Sequence, residues 1–128
     1  MKGFIAATAF FAGVLFAQPT PSHPLPPGVA LKDNQGRDNG VRFVDLNGDG
    51  HDDIVFSNPH RYGVYLFNPT EKKNVDWRVG WTFVMREGVA GDANAIPPIV
   101  NAEGSGMGVS FKDNAMTMAN GTRIPFTE

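Results

Sequence analysis

A stretch of ten residues, "VDLNGDGHDD" from Val44 to Asp53, constrains this chain more than any other feature. It places four acidic side chains, one Asn and two Gly together in a sequence with only 19% charged residues. Like charges this close repel, so a folded chain keeps them only if they stay solvated or if a cation neutralises them. The spacing of the oxygen-bearing side chains favours a cation.

Counted from Asp45 as position 1, these side chains fall at positions 1, 3, 5 and 9, and Gly50 falls at position 6. A calcium loop collects about six to eight oxygens and turns sharply at position 6, and its ligand at position 7 is a backbone carbonyl. A metal-free Asn/Gly turn would explain the Gly and Asn residues but not the three carboxylates. Asp52 is expected to be a solvated neighbour. The predicted Ca²⁺ ligands are Asp45, Asn47, Asp49, His51 through its carbonyl, and Asp53.

The flanks of the loop predict strands. An EF-hand requires a Glu at position 12 and a helix on each side, whereas position 12 here is Phe56. The flanking segments "GVRFV" and "DIVFS" are short and rich in β-branched and aromatic residues. The metal is therefore expected to join the two strands of a β-hairpin.

The segment "FVDLNGDGHDDIVFSN" resembles an FG-GAP or VCBS repeat, the calcium-loop motif of extracellular β-propellers such as the heads of integrin α-chains. In this motif, D-x-[DN]-x-D-G-x-x-D precedes a short apolar strand. The resemblance implies a β-propeller blade that binds calcium outside the cell.

The amino terminus predicts export. Lys2 precedes "GFIAATAFFAGVLFA", an apolar run with the length of a signal-peptide core. We expect residues 1–17 to be a signal peptide cleaved after Ala17, with an uncleaved anchor as the alternative, and no membrane span after cleavage. The mature protein would be secreted, periplasmic or held at the cell surface. The chain has no Cys, so it has neither disulfides nor a C-x-x-C-H haem site, and its net charge of −2 argues against nucleic acid as a partner.

The remaining sequence predicts an all-β fold. Residues 18–36 are Pro-rich and are expected to form a tether and a turn, and residues 37–128 a β region that contains the calcium loop at 44–54. "YGVYLFN" and "DWRVGWTFVMREG" show the period of two that is typical of strands. "GVSFKDNAMTMAN", residues 108–120, is predicted to be a degenerate repeat with a tight Asp113-Asn114 turn; two unrelated hairpins are the alternative. The predicted fold consists of antiparallel hairpins of the β-propeller-blade type, in a partial propeller or a small sandwich.

These observations predict an exported, calcium-stabilised and non-catalytic module for recognition or adhesion, with a protein or carbohydrate ligand outside the cell. Unpaired sheet edges predict self-association or missing downstream domains. The alternative rests on a second resemblance: most of the mature chain is similar to the leading β region of large secreted proteins of planctomycete-type bacteria. That resemblance implies the N-terminal fragment of a membrane-bound dehydrogenase-like protein of the quinoprotein or c-type haem kind. No catalytic residue is predicted.

Overall fold

Two antiparallel sheets form the regular structure of residues 23–69 and 79–126, which are the residues that this computed structural model describes. The first sheet has the order β1-β2-β3-β4, with β1 Val41–Val44, β2 Asp53–Ser57, β3 Arg61–Asn68 and β4 Gly80–Val89. The second has the order β5-β6-β7, with β5 Ser110–Lys112, β6 Ala115–Thr117 and β7 Arg123–Pro125. No helix occurs within these ranges, which confirms the predicted all-β class. The predicted signal peptide at 1–17 lies outside them.

The acidic loop closes the hairpin of β1 and β2. Val44 pairs with Asp53 and Val41 pairs with Phe56, so the connection runs from Asp45 to Asp52. The two flanks are therefore strands, as predicted.

Alternating side chains bury both faces of the first sheet. In β2, Val55 belongs to a core that also contains Met116 of the second sheet, whereas Ile54 and Phe56 belong to a separate core on the opposite face. In β3, Val64 and Tyr65 divide between the two cores in the same way. A strand that is buried on both faces contains a nearly continuous run of apolar residues, as Ile54, Val55 and Phe56 form in β2.

The second core lies beneath the Pro-rich segment. Val29 is buried in it, Leu25 and Leu31 pack against it, and the His23 ring meets the ring of Phe67 edge-on at a centroid distance of 5.1 Å. From residue 23 onward, the segment predicted to be a tether therefore covers one face of the sheet. Prolines exclude this segment from a strand ladder, but they do not prevent its apolar side chains from packing.

The hairpin of β5 and β6 has the predicted tight turn. Lys112 pairs with Ala115, and the two residues between them, Asp113 and Asn114, have φ angles of 55° and 58°. Positive φ at both central residues is characteristic of a type I′ turn, which Asn and Asp tolerate better than most residues do. The relation of this hairpin to the first one as a degenerate repeat remains a prediction.

Gly40 lies where three segments meet at the start of β1. Its carbonyl accepts a hydrogen bond from the Ser57 N–H at 3.0 Å, and the Ser57 carbonyl accepts one from the Ile99 N–H at 3.1 Å. The φ of Gly40 is +85°, and a Cβ at this position would lie 2.2 Å from the Ser57 carbonyl oxygen. This junction joins β1, β2 and the segment around Ile99, and it requires glycine.

We predict that Gly40→Ala destabilises the protein more than Gly36→Ala does. Gly36 also has a positive φ, +78°, but nothing lies within 4 Å of the position that its Cβ would take. Both variants incur about 1–2 kcal/mol of backbone strain, and Gly40→Ala adds about 1–3 kcal/mol of steric overlap with the backbone. Urea unfolding of both variants measures the difference, and equal losses would show that the contact at Ser57 is unimportant.

Candidate functional site: the loop between the first two strands

The Asp45 carboxylate organises the first half of the loop. Its Oδ1 accepts hydrogen bonds from the backbone N–H groups of Gly48 at 2.8 Å and Asp49 at 3.3 Å, and its Oδ2 accepts one from Gly50 at 2.9 Å. These bonds, above all the one from Gly50, lower the pKa of Asp45. The Asp45 side chain is therefore ionised and holds the loop backbone around itself.

The Asp53 carboxylate connects the end of the loop to the sheet. The residue is completely buried. Its Oδ2 accepts a hydrogen bond from the Leu46 N–H at 2.9 Å, and its Oδ1 accepts one from the Phe67 N–H in β3 at 2.8 Å. One side chain thus bridges the first residues of the loop and a strand that lies fourteen residues away in sequence.

The electrostatic environment of Asp53 disfavours its negative charge. Burial is the main cause that raises its pKa; the N–H groups of Phe67 and Leu46 lower it in part, and the charges of Asp49 and Asp45 raise it further. A cation beside these three carboxylates would reverse the effect. Each carboxylate oxygen of Asp53 accepts one of these hydrogen bonds, and a carboxylate oxygen can accept a second partner.

The other predicted ligands lie in the same loop. The Asn47 Oδ1 accepts the Asp49 N–H at 3.4 Å, and the Asp49 Oδ1 accepts the His51 N–H at 2.9 Å. Gly50 has a φ of +88°, which provides the sharp turn expected at position 6. Over residues 23–69 and 79–126, however, no three His, Cys, Asp or Glu side chains converge closely enough to hold a metal. Four of the predicted ligands, Asp45, Asn47, Asp49 and His51, lie in the exposed turn, whereas Asp53 is buried at the start of β2. Together they offer an all-oxygen donor set that suits a hard cation.

Two aromatic residues outside the motif also hold the loop. The imidazole of His51 stacks on the ring of Phe67, with centroids 5.1 Å apart and planes 24° from parallel. The Trp81 Nε1 donates a hydrogen bond to the Asp52 carbonyl at 2.9 Å. Phe67 and Trp81 were not among the residues that the sequence predicted for the site. Both lie in segments that the period of two indicated as strands, but nothing in the sequence specified their contacts with the loop.

A comparison with family models matches residues 39–71 to the FG-GAP repeat. The matched segment contains β1, the loop, β2 and β3, which are the elements that the Asp53 carboxylate connects. Searches of curated proteins and of solved structures found no match.

FG-GAP repeats in general bind calcium, are typically extracellular and form a non-catalytic repeat family. The predicted resemblance is therefore confirmed for the segment around the loop. Within the described residues, no helix is long and apolar enough to span a membrane.

We predict that Asp53→Ala destabilises the FG-GAP repeat even in the presence of a chelator, whereas Asp52→Ala does not. Removal of the Asp53 carboxylate leaves the buried N–H group of Leu46 and the partly buried N–H group of Phe67 without their acceptor. Each loss costs about 1–3 kcal/mol, and relief of the buried charge offsets part of it, so we expect a net loss of about 2 kcal/mol. Thermal or urea unfolding in excess chelator measures this loss.

Asp52→Ala is the matched control because it removes the same charge from the same loop. Asp52 is exposed and contributes its backbone carbonyl, which the substitution leaves in place. We expect its effect to stay within about 0.5 kcal/mol. If the two variants unfold alike, the hydrogen bonds of Asp53 do not support the fold.

Proposed function

We propose that this protein is an exported module for recognition or adhesion whose FG-GAP repeat binds calcium for stability and not for catalysis. The residues that would hold Ca²⁺ are Asp45, Asn47, Asp49, Asp53 and the carbonyl of His51. When bound, the cation supplies positive charge to a loop in which carboxylates otherwise repel one another.

The observation that carries this proposal is the buried carboxylate of Asp53. Its pKa is raised by burial and by two neighbouring negative charges, so the folded chain holds an unfavourable charge at this position. A chain that keeps such a group gains stability if a cation is bound in the folded state and absent in the unfolded state. The match to a repeat family that in general binds calcium supports the same conclusion.

The position of the loop explains how calcium binding would stabilise the first sheet. Asp53 bonds to Phe67 in β3, and Trp81 in β4 bonds to the carbonyl of Asp52. Ordering of the loop would therefore strengthen the contacts of three strands of the first sheet. The loop residues have the role of binding and positioning, as expected for a non-catalytic repeat.

Outside the cell, a site with low affinity for calcium is sufficient for binding. Extracellular modules bind calcium with dissociation constants of roughly 10⁻⁴ to 10⁻³ M, which matches the calcium level outside cells. The apolar segment that follows Lys2 supports export, and so does the typically extracellular location of FG-GAP repeats. Recognition of a protein or carbohydrate outside the cell is the role that we assign to the module.

The outer edge of the first sheet supports self-association as part of this role. Among the described strands, β4 is paired on one side only, and its exposed residues include Phe83 at 44%, Val84 at 50% and Val89 at 61%. A long, apolar and unpaired edge is a surface on which a second copy of the chain can pair.

We predict that calcium binding changes the fluorescence of Trp81 and raises the melting temperature. The indole N–H bonds to the loop backbone, so a change in the loop alters the environment of the indole. A Trp77→Phe background leaves Trp81 as the single reporter, since the chain has two Trp. At a calcium concentration about a hundredfold above the dissociation constant, the expected stabilisation is about 2.7 kcal/mol.

Asp49→Ala in this background should lose both the fluorescence change and the stabilisation, and Asp52→Ala should keep them. The two substitutions remove the same charge from neighbouring loop positions. Magnesium at equal concentration controls for general screening by divalent cations. If the parent protein shows no calcium-dependent signal, or if Asp49→Ala responds as the parent does, the proposed site is wrong.

We predict that Val84→Lys reduces self-association, whereas Met107→Lys does not. Both replace an exposed apolar residue with a cation, but Met107 is 41% exposed in the segment before β5 and Val84 lies on the β4 edge. A charge on the edge opposes pairing with a second copy. Size-exclusion chromatography with light scattering in saturating calcium measures the mass, and a monomeric parent at every concentration would refute self-association.

A further inference from the structure

A polar cleft of about 440 Å³ lies at the end of the first sheet that is opposite the calcium loop. Three segments form its walls: residues 28–39, the turn from Asn58 to Arg61, and residues 100–102. Phe56 and Val100, both buried, contribute to its lining. The volume is within the range of about 300–1,000 Å³ that is usual for small-molecule sites.

Hydrogen bonds hold the walls of this cleft in place. The Asn58 Nδ2 donates to the carbonyl and to the Oδ1 of Asn39, both at 3.0 Å, and the Asn58 Oδ1 accepts the N–H groups of His60 and Arg61. The Asp33 Oδ1 accepts the backbone N–H groups of Gln35 at 2.8 Å and Arg37 at 2.9 Å. The cleft is therefore formed before any ligand enters.

Arg61 extends along one wall of the cleft. Its Nη1 donates to the Gly28 carbonyl at 3.0 Å, and it forms no ion pair with any described residue. Gly28 has a φ of +81°, and a Cβ there would lie 2.3 Å from the Nη1 of Arg61. Glycine at this position therefore provides the space that the guanidinium occupies.

The charges of the cleft favour an anion. Its two acids are already paired, Asp33 with Arg37 and Asp38 with Arg42, each at 2.9 Å. Lys32 also lines the cleft, and neither Lys32 nor Arg61 forms an ion pair with a residue in the described part of the chain. This part of the surface carries excess positive charge in a chain whose net charge is −2.

Amide side chains at the rim can form hydrogen bonds with hydroxyl groups. Asn34 and Gln35 are exposed, line the cleft and make no side-chain hydrogen bond to any described residue. An amide both donates and accepts, as a sugar hydroxyl does. A cleft of this volume is larger than phosphate or acetate requires and is suited to a sugar ring.

We propose that this cleft binds an anionic sugar of the uronic acid class, with its carboxylate on Arg61 and its hydroxyls on the amides of Asn34 and Gln35. A guanidinium is well matched to a carboxylate because two parallel N–H groups can face its two oxygens. This proposal rests on the proposed recognition role of the module and gives it a ligand class. The site is separate from the calcium loop, so each can fail alone.

The test is a titration of ¹⁵N-labelled mature protein in saturating calcium with glucuronate, glucose and acetate, followed by the amide and side-chain NMR signals. Glucuronate should shift the signals of Asn34, Gln35 and Arg61. Glucose and acetate should bind at least about tenfold more weakly, because each lacks one half of the recognised chemistry. If acetate binds as tightly as glucuronate, the cleft is a simple anion site and the proposed recognition of a sugar is refuted. If glucose binds as tightly as glucuronate, the role of Arg61 is refuted.

Arg61→Gln should weaken glucuronate binding by about tenfold or more, the effect expected for loss of a charge-assisted hydrogen bond. Arg123→Gln is the matched control: Arg123 lies outside the cleft, and its Nη2 also bonds to one backbone carbonyl, that of Asp113, at 3.2 Å. Gly28→Ala should weaken binding while the charge is retained, because its Cβ displaces the guanidinium.

Circular dichroism and calcium-dependent melting of each variant identify those that fold. If folded parent protein shows the calcium response but no shift with glucuronate, this proposal fails and the calcium proposal stands. If Arg61→Gln and Arg123→Gln bind glucuronate alike, the cleft is not the site. If calcium itself gives no response but glucuronate binds, the cleft stands and the calcium-stabilised function fails.

Discussion

The carboxylate of Asp53 accepts hydrogen bonds from two backbone amides that belong to different parts of the chain, Leu46 in the loop and Phe67 in β3. A buried charge costs free energy unless hydrogen bonds or an opposite charge compensate it. The two amides compensate it in part, and the raised pKa shows that they do not do so completely. A cation bound at the loop, as proposed, would compensate the rest of this cost.

The strands that Asp53 connects lie in the middle layer of the fold. β2 and β3 are buried on both faces, by the second sheet on one side and by the segment that contains Leu25 and Val29 on the other. A central pair of strands in such a position has little freedom to shift its register, because a shift of one residue would exchange the two cores. The loop is thus attached to the most constrained part of the molecule, and the cleft at the opposite end is attached to the same strands.

Local patterns in the sequence predicted the features that depend on neighbouring residues. The period of two in residues 62–68 correctly indicated a strand, and the pair Asp113-Asn114 correctly indicated a tight turn. The motif around the loop was sufficient to identify the FG-GAP repeat.

Contacts between distant residues were not predictable in the same way. The Pro content of residues 18–36 predicted a tether and a turn, yet Val29 is buried because it packs against the apolar side chains of Ile54 and Tyr65 on one face of β2 and β3. Arg61 lines a cleft only because Gly28, thirty-three residues earlier, lies against its guanidinium. Similarly, the bond from Trp81 to the loop depends on the packing of β4, which no local pattern encodes.

Amide hydrogen exchange at Leu46 and Phe67 tests whether Asp53 couples calcium binding to the fold, because both N–H groups donate to its carboxylate. NMR exchange rates in saturating calcium and in excess chelator give the comparison. We expect both amides to be protected in chelator and to exchange more slowly by about tenfold or more with calcium, the change that corresponds to about 1.4 kcal/mol of stabilisation. Exchange rates that calcium leaves unchanged at both amides would contradict this coupling.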